Sequence, residues 1–403
     1  MESEGRLVQS RASLILDLPP SCVEFCPASP SYFLVGTYSL QADSPGTENE
    51  DSGKQPQSRS GSIVVFQLTD GNLNCIQTVA QPSALLDLRF SPHDGQRDIC
   101  AVVSSTATVA LFQLLPDQSQ ALKHLRTMDI TTMSHGEIKP ASGEEILFTS
   151  FGWHPSRQGI MAVTTSTGHV YLLRLPTFDG PWELDPNPVI THSLEAWCTV
   201  ISQAPAVPTK AETDEFSFRV YSGGDDSMLR SQTSAWNGEG FTQSLPAAEW
   251  RGHDAGVTAI LPLFMQEDGH ELVVTGSYDE HIRLFQVPPL GRPKNLAEST
   301  LGGGVWRLNL MELDTSPNQS YVWRARILAS CMHAGARIVE LLKLAGSQEC
   351  VFNVLTRFEE HKSMNYGSDF HRDGVKEKVT IVSTSFYDRL LCLWEAEMYG
   401  YDV

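Results

Sequence analysis

The sequence predicts an all-β protein: a seven-bladed β-propeller whose ring is closed by the N-terminal strand. Three observations lead to this fold class. Short strands separated by turn residues recur along all 403 residues, helical periodicity is weak throughout, and one strand pattern returns seven times. Its interval of roughly 45–60 residues is typical of four-stranded propeller blades. We therefore predict one propeller domain over residues 1–403 rather than two separate domains.

The third strand of each predicted blade is the easiest to recognise, because it ends in a similar apolar run. The runs are GSIVVFQL (61–68), ATVALFQL (107–114), GHVYLLRL (168–175), SMLRSQ (227–232), HIRLFQV (281–287), GARIVELL (335–342) and RLLCLWEAE (389–397). Before each lies another short strand that ends in small or turn residues, such as ELVVTGSYDE. Strands of this length and spacing predict antiparallel sheets joined by tight turns.

The two ends of the chain are predicted to meet in the last blade. The last unit stops after its third strand, close to Trp394. The stretch RLVQSRASLILDL, residues 6–18, alternates apolar and polar residues and precedes the first unit. We predict that it forms the fourth strand of the last blade, because this pairing removes an open sheet edge.

Three polar stretches interrupt the strand pattern. Residues 41–60 are rich in Ser, Gly, Pro and Glu, and we predict a disordered insertion within blade 1. Residues 114–144, with one strand inside a longer loop, and residues 202–215 are predicted to be surface loop insertions. None of the three carries a recognisable motif.

The composition excludes several classes of protein. Hydrophobic residues make up 41% and charged residues 19%, no run of about 18 apolar residues occurs, and the N-terminus lacks a signal-peptide pattern. We therefore expect a cytoplasmic protein without membrane contact, whose eight cysteines are reduced. Cys22 and Cys26 lack further ligands nearby, so we expect no metal and no cofactor. The net charge of −19 disfavours nucleic acid and favours a protein partner or a cationic substrate.

Residues from different blades are expected to converge at the mouth of the central channel. In a propeller, the turn between the second and third strands opens on the same face as the entrance to the first strand. The turns contribute Tyr38, Asp225, Asp226, Tyr278, Glu280, His281, His333, Tyr387 and Asp388, and the entrances contribute His192, Glu195, Trp197, Gly302–Gly304, Trp306, Tyr366 and Asp369. The turns of blades 2 and 3, SSTAT and TSTGH, are blander. We predict a site here, because structure alone does not require histidines and acids at selected turns.

The fifth unit contains the pattern of a structural tether. Its members are His253, a hydroxyl from Thr275 or Ser277, and Asp279, and they resemble the hydrogen-bonded tether of WD repeats. Phe285 stands where that tether ends in Trp, so the last link is lost. Because a buried Asp in such a turn mainly accepts hydrogen bonds from backbone donors, we expect Asp279 to be structural.

The motifs of the chain together resemble one known family. They are GTY, LDLRFSP, LEAW, YSGGDD, GSYDEHIRLF, GGGVWR, CMHAG and STSFYDRLLCLW, running from about residue 13 to residue 396 and failing only at the insertions. The set is similar to the diphthine methyl ester hydrolase family, the WD-repeat proteins of diphthamide biosynthesis. The resemblance implies hydrolysis of the methyl ester of methylated diphthine on translation elongation factor 2, with release of diphthine and methanol. Phe285 departs from the family, which commonly has Trp there.

The substrate implied by this resemblance carries a trimethylammonium group beside the ester. Aromatic faces and acids bind quaternary ammonium groups. The residues that we assign to substrate binding are Tyr38, Trp197, Asp225, Asp226, Tyr278, Gly303, Gly304 and Trp306. The two glycines are included because their backbone amides can approach a developing oxyanion closely.

Ester hydrolysis also needs an activated nucleophile. No GxSxG motif occurs in the sequence, so we assign catalysis to a water molecule that His281 or His333 activates, with Glu280 at the same turn as His281. A serine nucleophile, Ser277 or Ser330, is the alternative.

A non-catalytic scaffold for protein–protein interactions is the rival function, because the fold alone would also support it. We expect a monomer whose protein partner is elongation factor 2. A generic scaffold does not need histidines and acids that converge at one mouth, and for this reason we place the ester hydrolase first.

Overall fold

The computed structural model describes residues 5–40, 58–116, 118–129, 145–177, 180–203, 215–243, 245–372 and 378–397. Within these ranges all regular secondary structure is β-strand, and the strands are numbered β1 to β32. The strands form seven sheets of four or five strands, one for each blade of a β-propeller, so the predicted fold class is confirmed. The same ranges contain no helix that is long and apolar enough to cross a membrane.

Blades 1 to 4 take up the first part of the chain. Blade 1 contains β3 (Pro20–Phe25), β4 (Tyr32–Thr37), β5 (Ser39–Leu40), β6 (Arg59–Thr69) and β7 (Asn72–Gln81). Blade 2 contains β8 (Leu85–Phe90), β9 (Ile99–Ser104), β10 (Thr108–Leu114) and β11 (Leu122–Asp129). Blade 3 contains β12 (Phe148–Trp153), β13 (Ile160–Thr165), β14 (His169–Arg174), β15 (Glu183–Leu184) and β16 (Ile190–Thr191). Blade 4 contains β17 (Ala196–Gln203), β18 (Phe216–Gly224), β19 (Met228–Trp236), β20 (Phe241–Gln243) and β21 (Ala248–Arg251).

Blades 5 to 7 follow, and the last two also recruit the N-terminus. Blade 5 contains β22 (Val257–Met265), β23 (Glu271–Ser277), β24 (His281–Val287) and β25 (Lys294–Thr300). Blade 6 contains β26 (Arg307–Asp314), β27 (Tyr321–Ser330), β28 (Ala336–Leu344) and β29 (Cys350–Phe358), with β1 (Arg6–Val8) as a fifth strand. Blade 7 contains β30 (Gly367–Arg372), β31 (Lys378–Ser385) and β32 (Leu390–Glu397), with β2 (Ser10–Ile15) as its outer strand.

Burial falls from the inner to the outer strands, and the residue pattern follows this gradient. The second strands β4 and β9 are buried at every residue, because neighbouring blades cover both of their faces. Their β-branched and aromatic residues suit such positions. The outer strand β2 alternates exposed and half-buried residues, as expected for a strand with one face in solvent.

The first strands of the blades line the central channel. Each of β3, β8, β12, β17, β22, β26 and β30 contacts the first strands of its two neighbouring blades, which closes a ring. Residues on these strands, and in the loops that lead into them, therefore surround the channel.

The N-terminal segment closes the ring with two strands rather than one. β2 pairs antiparallel with β32, as the closure predicted. β1 leaves this sheet and runs parallel to β29 of blade 6. The ion pairs of Arg6 with Glu397, at 3.2 Å, and of Arg11 with Glu395 fasten the segment to β32. The segment thus links the last two blades as well as the two chain ends.

Removing residues 1–17 is expected to cause aggregation. The truncation takes away both β1 and β2, and it leaves β32 as an open edge that can pair with another chain. Size-exclusion chromatography and thermal unfolding measure the effect, with removal of residues 1–4 alone as the control. A soluble, monomeric truncation with an unchanged unfolding midpoint would contradict this role of the segment.

Most of the predicted insertions fall outside the described residues, namely residues 41–57, 130–144 and 204–214. The described parts of these insertions include strand residues: Arg59 begins β6, and β11 is the strand within residues 114–144.

Seven of the eight cysteines are core residues rather than reactive groups. All are free, and all except Cys75 are buried. Burial raises the pKa of Cys22, Cys198 and Cys331 to about 12, which keeps these thiols protonated.

Candidate functional site

Aromatic rings in contact with one another cross the mouth of the channel. Trp306 lies at the centre: its ring centroid is 5.7 Å from that of Trp197, 5.9 Å from Tyr278 and 4.9 Å from Tyr366. These separations are those of packed aromatic pairs. All four side chains are half-buried, so part of each ring remains accessible from the mouth.

The row of rings continues to the first blade. Phe386 lies 5.5 Å from Tyr366 and 6.1 Å from Tyr38, and Tyr38 accepts a hydrogen bond from Arg59 Nε at 3.0 Å. We refer to the six residues Trp197, Tyr278, Trp306, Tyr366, Phe386 and Tyr38 as the aromatic chain. Four of them are residues that the sequence assigned to substrate binding. Tyr366 was recognised only as an entrance residue, and Phe386 was missed.

Equivalent positions in the blades explain why these distant residues meet. Tyr38, Tyr278 and Phe386 each follow a second strand, Trp306 and Tyr366 each precede a first strand, and Trp197 lies on a first strand. Blades 2 and 3 have Ser105 and Ser166 after their second strands. The aromatic chain therefore covers the side of the mouth formed by blades 4 to 7 and blade 1.

Two carboxylates lie beside the aromatic chain. Asp225 occupies in blade 4 the position that Tyr278 has in blade 5, and it accepts a hydrogen bond from Trp197 Nε1 at 3.3 Å. Glu195 lies at the entrance to the same blade. Burial, then Tyr366 and the charges of Asp225 and Glu195, raise the pKa of Tyr278 well above its usual range, so this ring stays a neutral phenol.

Glycines allow these turns to pack closely. A Cβ on Gly256 would lie 2.7 Å from Asp225 Oδ1, and a Cβ on Gly304 would lie 2.7 Å from the Met332 sulfur. Gly303 and Gly304 are both buried beside the mouth. Among the described residues, neither of their amides donates to an acceptor. Close packing thus explains why glycine is needed at these positions, and within the described ranges the two backbone amides have no acceptor.

Asp279 belongs to the tether of blade 5. It accepts hydrogen bonds from His253 Nδ1 at 3.1 Å and from Arg283 Nη1 at 2.6 Å, and His253 Nε2 pairs with Thr275 Oγ1 at 2.7 Å. Thr275 rather than Ser277 therefore supplies the hydroxyl. Burial opposes the ionisation of Asp279, but hydrogen bonds from His253, the backbone amide of residue 254 and Arg283 hold its pKa well below its usual range.

Blade 4 repeats this tether with Asp226. Asp226 accepts hydrogen bonds from His192 Nδ1 at 3.0 Å and from Arg230 Nη1 at 2.7 Å. His192 Nε2 lies 3.0 Å from Ser222 Oγ, which completes the arrangement seen in blade 5. Of the two neighbouring acids, Asp225 borders the aromatic chain and Asp226 holds the turn that carries it.

Replacing Asp279 by alanine is expected to destabilise the protein by about 1–3 kcal/mol, because buried donors lose their acceptor. Glu280→Ala at the next position is the matched control. Since the pKa of Asp279 is depressed, its stabilisation is present above the unfolded pKa of Asp, about 3.9, and is lost as the pH falls. Urea unfolding of both variants at neutral and acidic pH tests this, and equal midpoints at neutral pH would refute it.

His281, Glu280 and His333 lie on two neighbouring turns. His281 begins β24, and its Nδ1 donates to the carbonyl oxygen of Asp279 at 2.7 Å. Glu280 has a positive φ of 68°, and its carbonyl accepts the Leu301 amide at 2.9 Å. His333 is exposed and makes no hydrogen bond within the described ranges; its turn packs on Gly303 and Gly304. The described contacts join neither histidine ring to the aromatic chain.

Charged residues on the first strands fill the channel below the mouth. Arg307, which follows Trp306, donates from Nη2 to Asp87 Oδ1 at 2.7 Å. Asp87 also accepts from Arg89 Nε at 3.1 Å and from Ser150 Oγ at 2.9 Å. This cluster is not among the residues predicted from the sequence. The spacing of charged residues in LDLRF, two apart on a first strand, is the signal that could have placed them in the channel.

Two more carboxyl groups link neighbouring first strands. Asp369 accepts the Phe25 amide at 2.7 Å, and Glu24 accepts the Phe90 amide at 2.8 Å. Burial raises the pKa of Asp369 to about 6, and burial together with the charge of Asp369 raises that of Glu24. These bonds connect blades 7, 1 and 2 around the channel, so both groups serve the ring itself.

Over most of its length the chain is similar to curated proteins named diphthine methyltransferase. The Schizosaccharomyces pombe protein is 27% identical over 387 residues, which cover 94% of this chain and 95% of that protein. The Homo sapiens protein is 26% identical over 383 residues, which cover 88% of this chain and 73% of that protein. The Saccharomyces cerevisiae protein is 25% identical over 422 residues, which cover 94% and 95%. No protein-family model matches the chain.

The name of these relatives agrees with the family resemblance of the motifs in the substrate and differs from it in the reaction. Their name contains diphthine, as the resemblance implied. The name specifies a methyltransferase, whereas the motifs were assigned to an ester hydrolase.

Proposed function

We propose that the protein hydrolyses the methyl ester of methylated diphthine on translation elongation factor 2 and releases diphthine and methanol. The observation that carries the proposal is the aromatic chain at the channel mouth, with Asp225 and Glu195 beside it. The similarity to proteins named diphthine methyltransferase supports the same substrate class. On this proposal the protein acts in diphthamide biosynthesis as a cytoplasmic monomer without a cofactor.

The aromatic chain has the properties that a trimethylammonium group requires. Such a cation has no N–H to donate, and it is attracted by the negative faces of aromatic rings. Trp306 has three rings within 6 Å of its own, and Asp225 adds a negative charge next to Trp197. A neutral ester is not attracted by the negative charge of Asp225, so the arrangement favours a cationic substrate.

The reaction needs a water molecule that attacks the ester carbonyl carbon. A base removes a proton from the water as the new C–O bond forms, and the methoxide takes up a proton as it leaves as methanol. We assign the base to His281, with His333 as the second candidate and Glu280 as an added negative charge. The His281 Nδ1–H group is engaged by the Asp279 carbonyl at 2.7 Å, which leaves Nε2 as the acceptor.

The developing oxyanion needs hydrogen-bond donors. The amides of Gly303 and Gly304 are the proposed donors, because both are buried beside the mouth and have no acceptor among the described residues. Within the same proposal, Tyr38 extends the aromatic surface at its far end, and Asp226 supports the turn that carries Asp225.

Methyl transfer is the second candidate function, because the relatives carry the name methyltransferase. In that reaction the methyl group passes between the substrate and a molecule other than water. A non-catalytic scaffold is the third candidate, and it would bind the factor without changing it.

Incubation of the purified protein with elongation factor 2 that carries methylated diphthine separates these candidates. We expect one methanol for each factor and loss of the mass of one CH₂ group from the factor. Factor that already carries the free carboxylate is the control and is expected to stay unchanged. A mass change without methanol would favour methyl transfer, and binding without any mass change would favour the scaffold.

A further inference from the structure

Arg307 lies directly beneath the aromatic chain and spans the channel. It follows Trp306 and begins the first strand of blade 6, whereas its partner Asp87 lies on the first strand of blade 2. In the ring these blades are separated by blades 7 and 1 on one side and by blades 3 to 5 on the other. The ion pair, at 2.7 Å, therefore crosses the channel and forms a floor below the mouth.

Asp87 holds the guanidinium group of Arg307 in a fixed position. The Asp87 side chain is 0% exposed, and it also accepts hydrogen bonds from Arg89 and Ser150. Burial opposes its ionisation, but Arg307 and Arg89 lower its pKa to about 2. Asp87 thus remains charged, and its other bonds prevent the pair from swinging away.

The guanidinium group of Arg307 has N–H donors that are not used by Asp87. Arginine carries five N–H groups, and within the described residues Arg307 uses only Nη2. Its side chain is 15% exposed and borders a cavity of about 50 Å³. Trp197 and Trp306 also line this cavity. The space suits a carboxyl or ester group better than a larger one, since a single water needs roughly 10–15 Å³ on the same measure.

We infer that the mouth is a two-part site for a quaternary ammonium group attached next to a carboxyl group or its methyl ester. The aromatic chain binds the cation, and the free N–H groups of Arg307 bind the carboxyl or carbonyl oxygen. The choice of ligand rests on the proposed function, but binding of this kind does not require hydrolysis. Arg307 is then a substrate-binding residue, and Asp87 is a positioning residue that acts through it.

Charge balance explains why such a ligand suits this mouth. Asp87 is shared between Arg307 and Arg89, so these three side chains together carry one net positive charge, which attracts the carboxyl end of such a ligand. Arginine binds carboxylates with short, charge-assisted hydrogen bonds, and these are stronger than its bonds to a neutral ester carbonyl. The free carboxylate is therefore expected to bind more tightly than its methyl ester.

Binding of three small probes tests the inference without any enzymatic assay. Glycine betaine carries both groups, its methyl ester carries a neutral carbonyl, and choline carries the cation without a carboxyl. Tryptophan fluorescence and calorimetry measure the dissociation constants. We expect betaine to bind roughly 10- to 100-fold more tightly than choline, with the ester between them. Equal affinities for betaine and choline would overturn the two-part site.

Two variants assign the preference to Arg307. The double variant Arg307→Met with Asp87→Asn removes both charges, so no buried carboxylate is left unpaired. It is expected to bind choline as the wild type does and to lose the preference for betaine. Arg307→Lys keeps the positive charge but lacks the forked N–H donors of arginine, so it is expected to weaken the preference for betaine over choline. This variant also tests Arg307 if the double variant does not fold. An undiminished preference in either folded variant would overturn the role of Arg307.

The outcome for this site is distinguishable from the outcome for the proposed function. A betaine preference that depends on Arg307, found together with no methanol release from elongation factor 2, would support the site and refute the hydrolase. Methanol release without any betaine preference would support the hydrolase and refute the site.

Discussion

Replacing Trp306 by alanine is expected to lower kcat/KM for the methylated factor by roughly 10- to 100-fold, mainly through a higher KM. Trp306 is the residue that joins Trp197, Tyr278 and Tyr366, so its loss opens the centre of the aromatic chain. The trimethylammonium group does not react, and its binding energy is therefore spent on holding the substrate.

Three controls make this result specific. Trp306→Phe keeps an aromatic face and is expected to retain most of the activity. Trp250→Ala removes an indole from the outer strand β21 of blade 4, away from the mouth, and is expected to keep KM unchanged. A neutral methyl ester should be a poor substrate for all variants. A folded Trp306→Ala protein with wild-type KM would contradict the aromatic chain as the cation site.

Alanine at the catalytic histidine is expected to lower kcat by roughly 100- to 10,000-fold, the usual cost of losing a general base. His281 is expected to show this loss, because its Nδ1 bond to the Asp279 carbonyl at 2.7 Å presents Nε2 as a proton acceptor. His333→Ala is measured beside it as the second candidate. Both side chains are at least partly exposed, so thermal unfolding should change little.

His124→Ala serves as the control, because His124 lies on the outer strand β11 of blade 2, where it contacts Thr127 and Phe112. Full turnover in both the His281→Ala and His333→Ala variants would remove histidine from the mechanism. The role of base would then pass to the carboxylates, with Asp225 ahead of Asp226 because Asp226 is engaged in its tether.

The fold could be predicted because each blade repeats the same local pattern. Apolar runs such as HIRLFQV and turns such as GSYD recur at a steady interval, and this is sufficient to count blades. Ring closure also followed from the sequence, since the last unit lacked a fourth strand. The break between β1 and β2 could not be predicted from the sequence. The parallel pairing of β1 with β29 depends on how two blades approach each other in space.

The site was only partly predictable, because neighbouring residues on a turn face different ways. Asp225 and Asp226 are equivalent in the sequence, but one accepts from Trp197 at the mouth and the other from His192 inside the blade. In the sequence, nothing distinguishes Phe386 from other aromatic residues in turns; its contact with Tyr366 is visible only in the structure. Arg307 meets Asp87 from across the ring, and no local pattern reports such a contact.

The most direct test of the account is hydrolysis of the methylated factor in water labelled with heavy oxygen. If a water molecule attacks the ester carbonyl, one labelled oxygen enters the carboxylate of diphthine and the released methanol carries none. We predict this distribution for the wild-type protein, and the same distribution at a lower rate for Trp306→Ala at low substrate concentration. Loss of the methyl group without label in either product would show transfer to another acceptor and contradict the proposed hydrolysis.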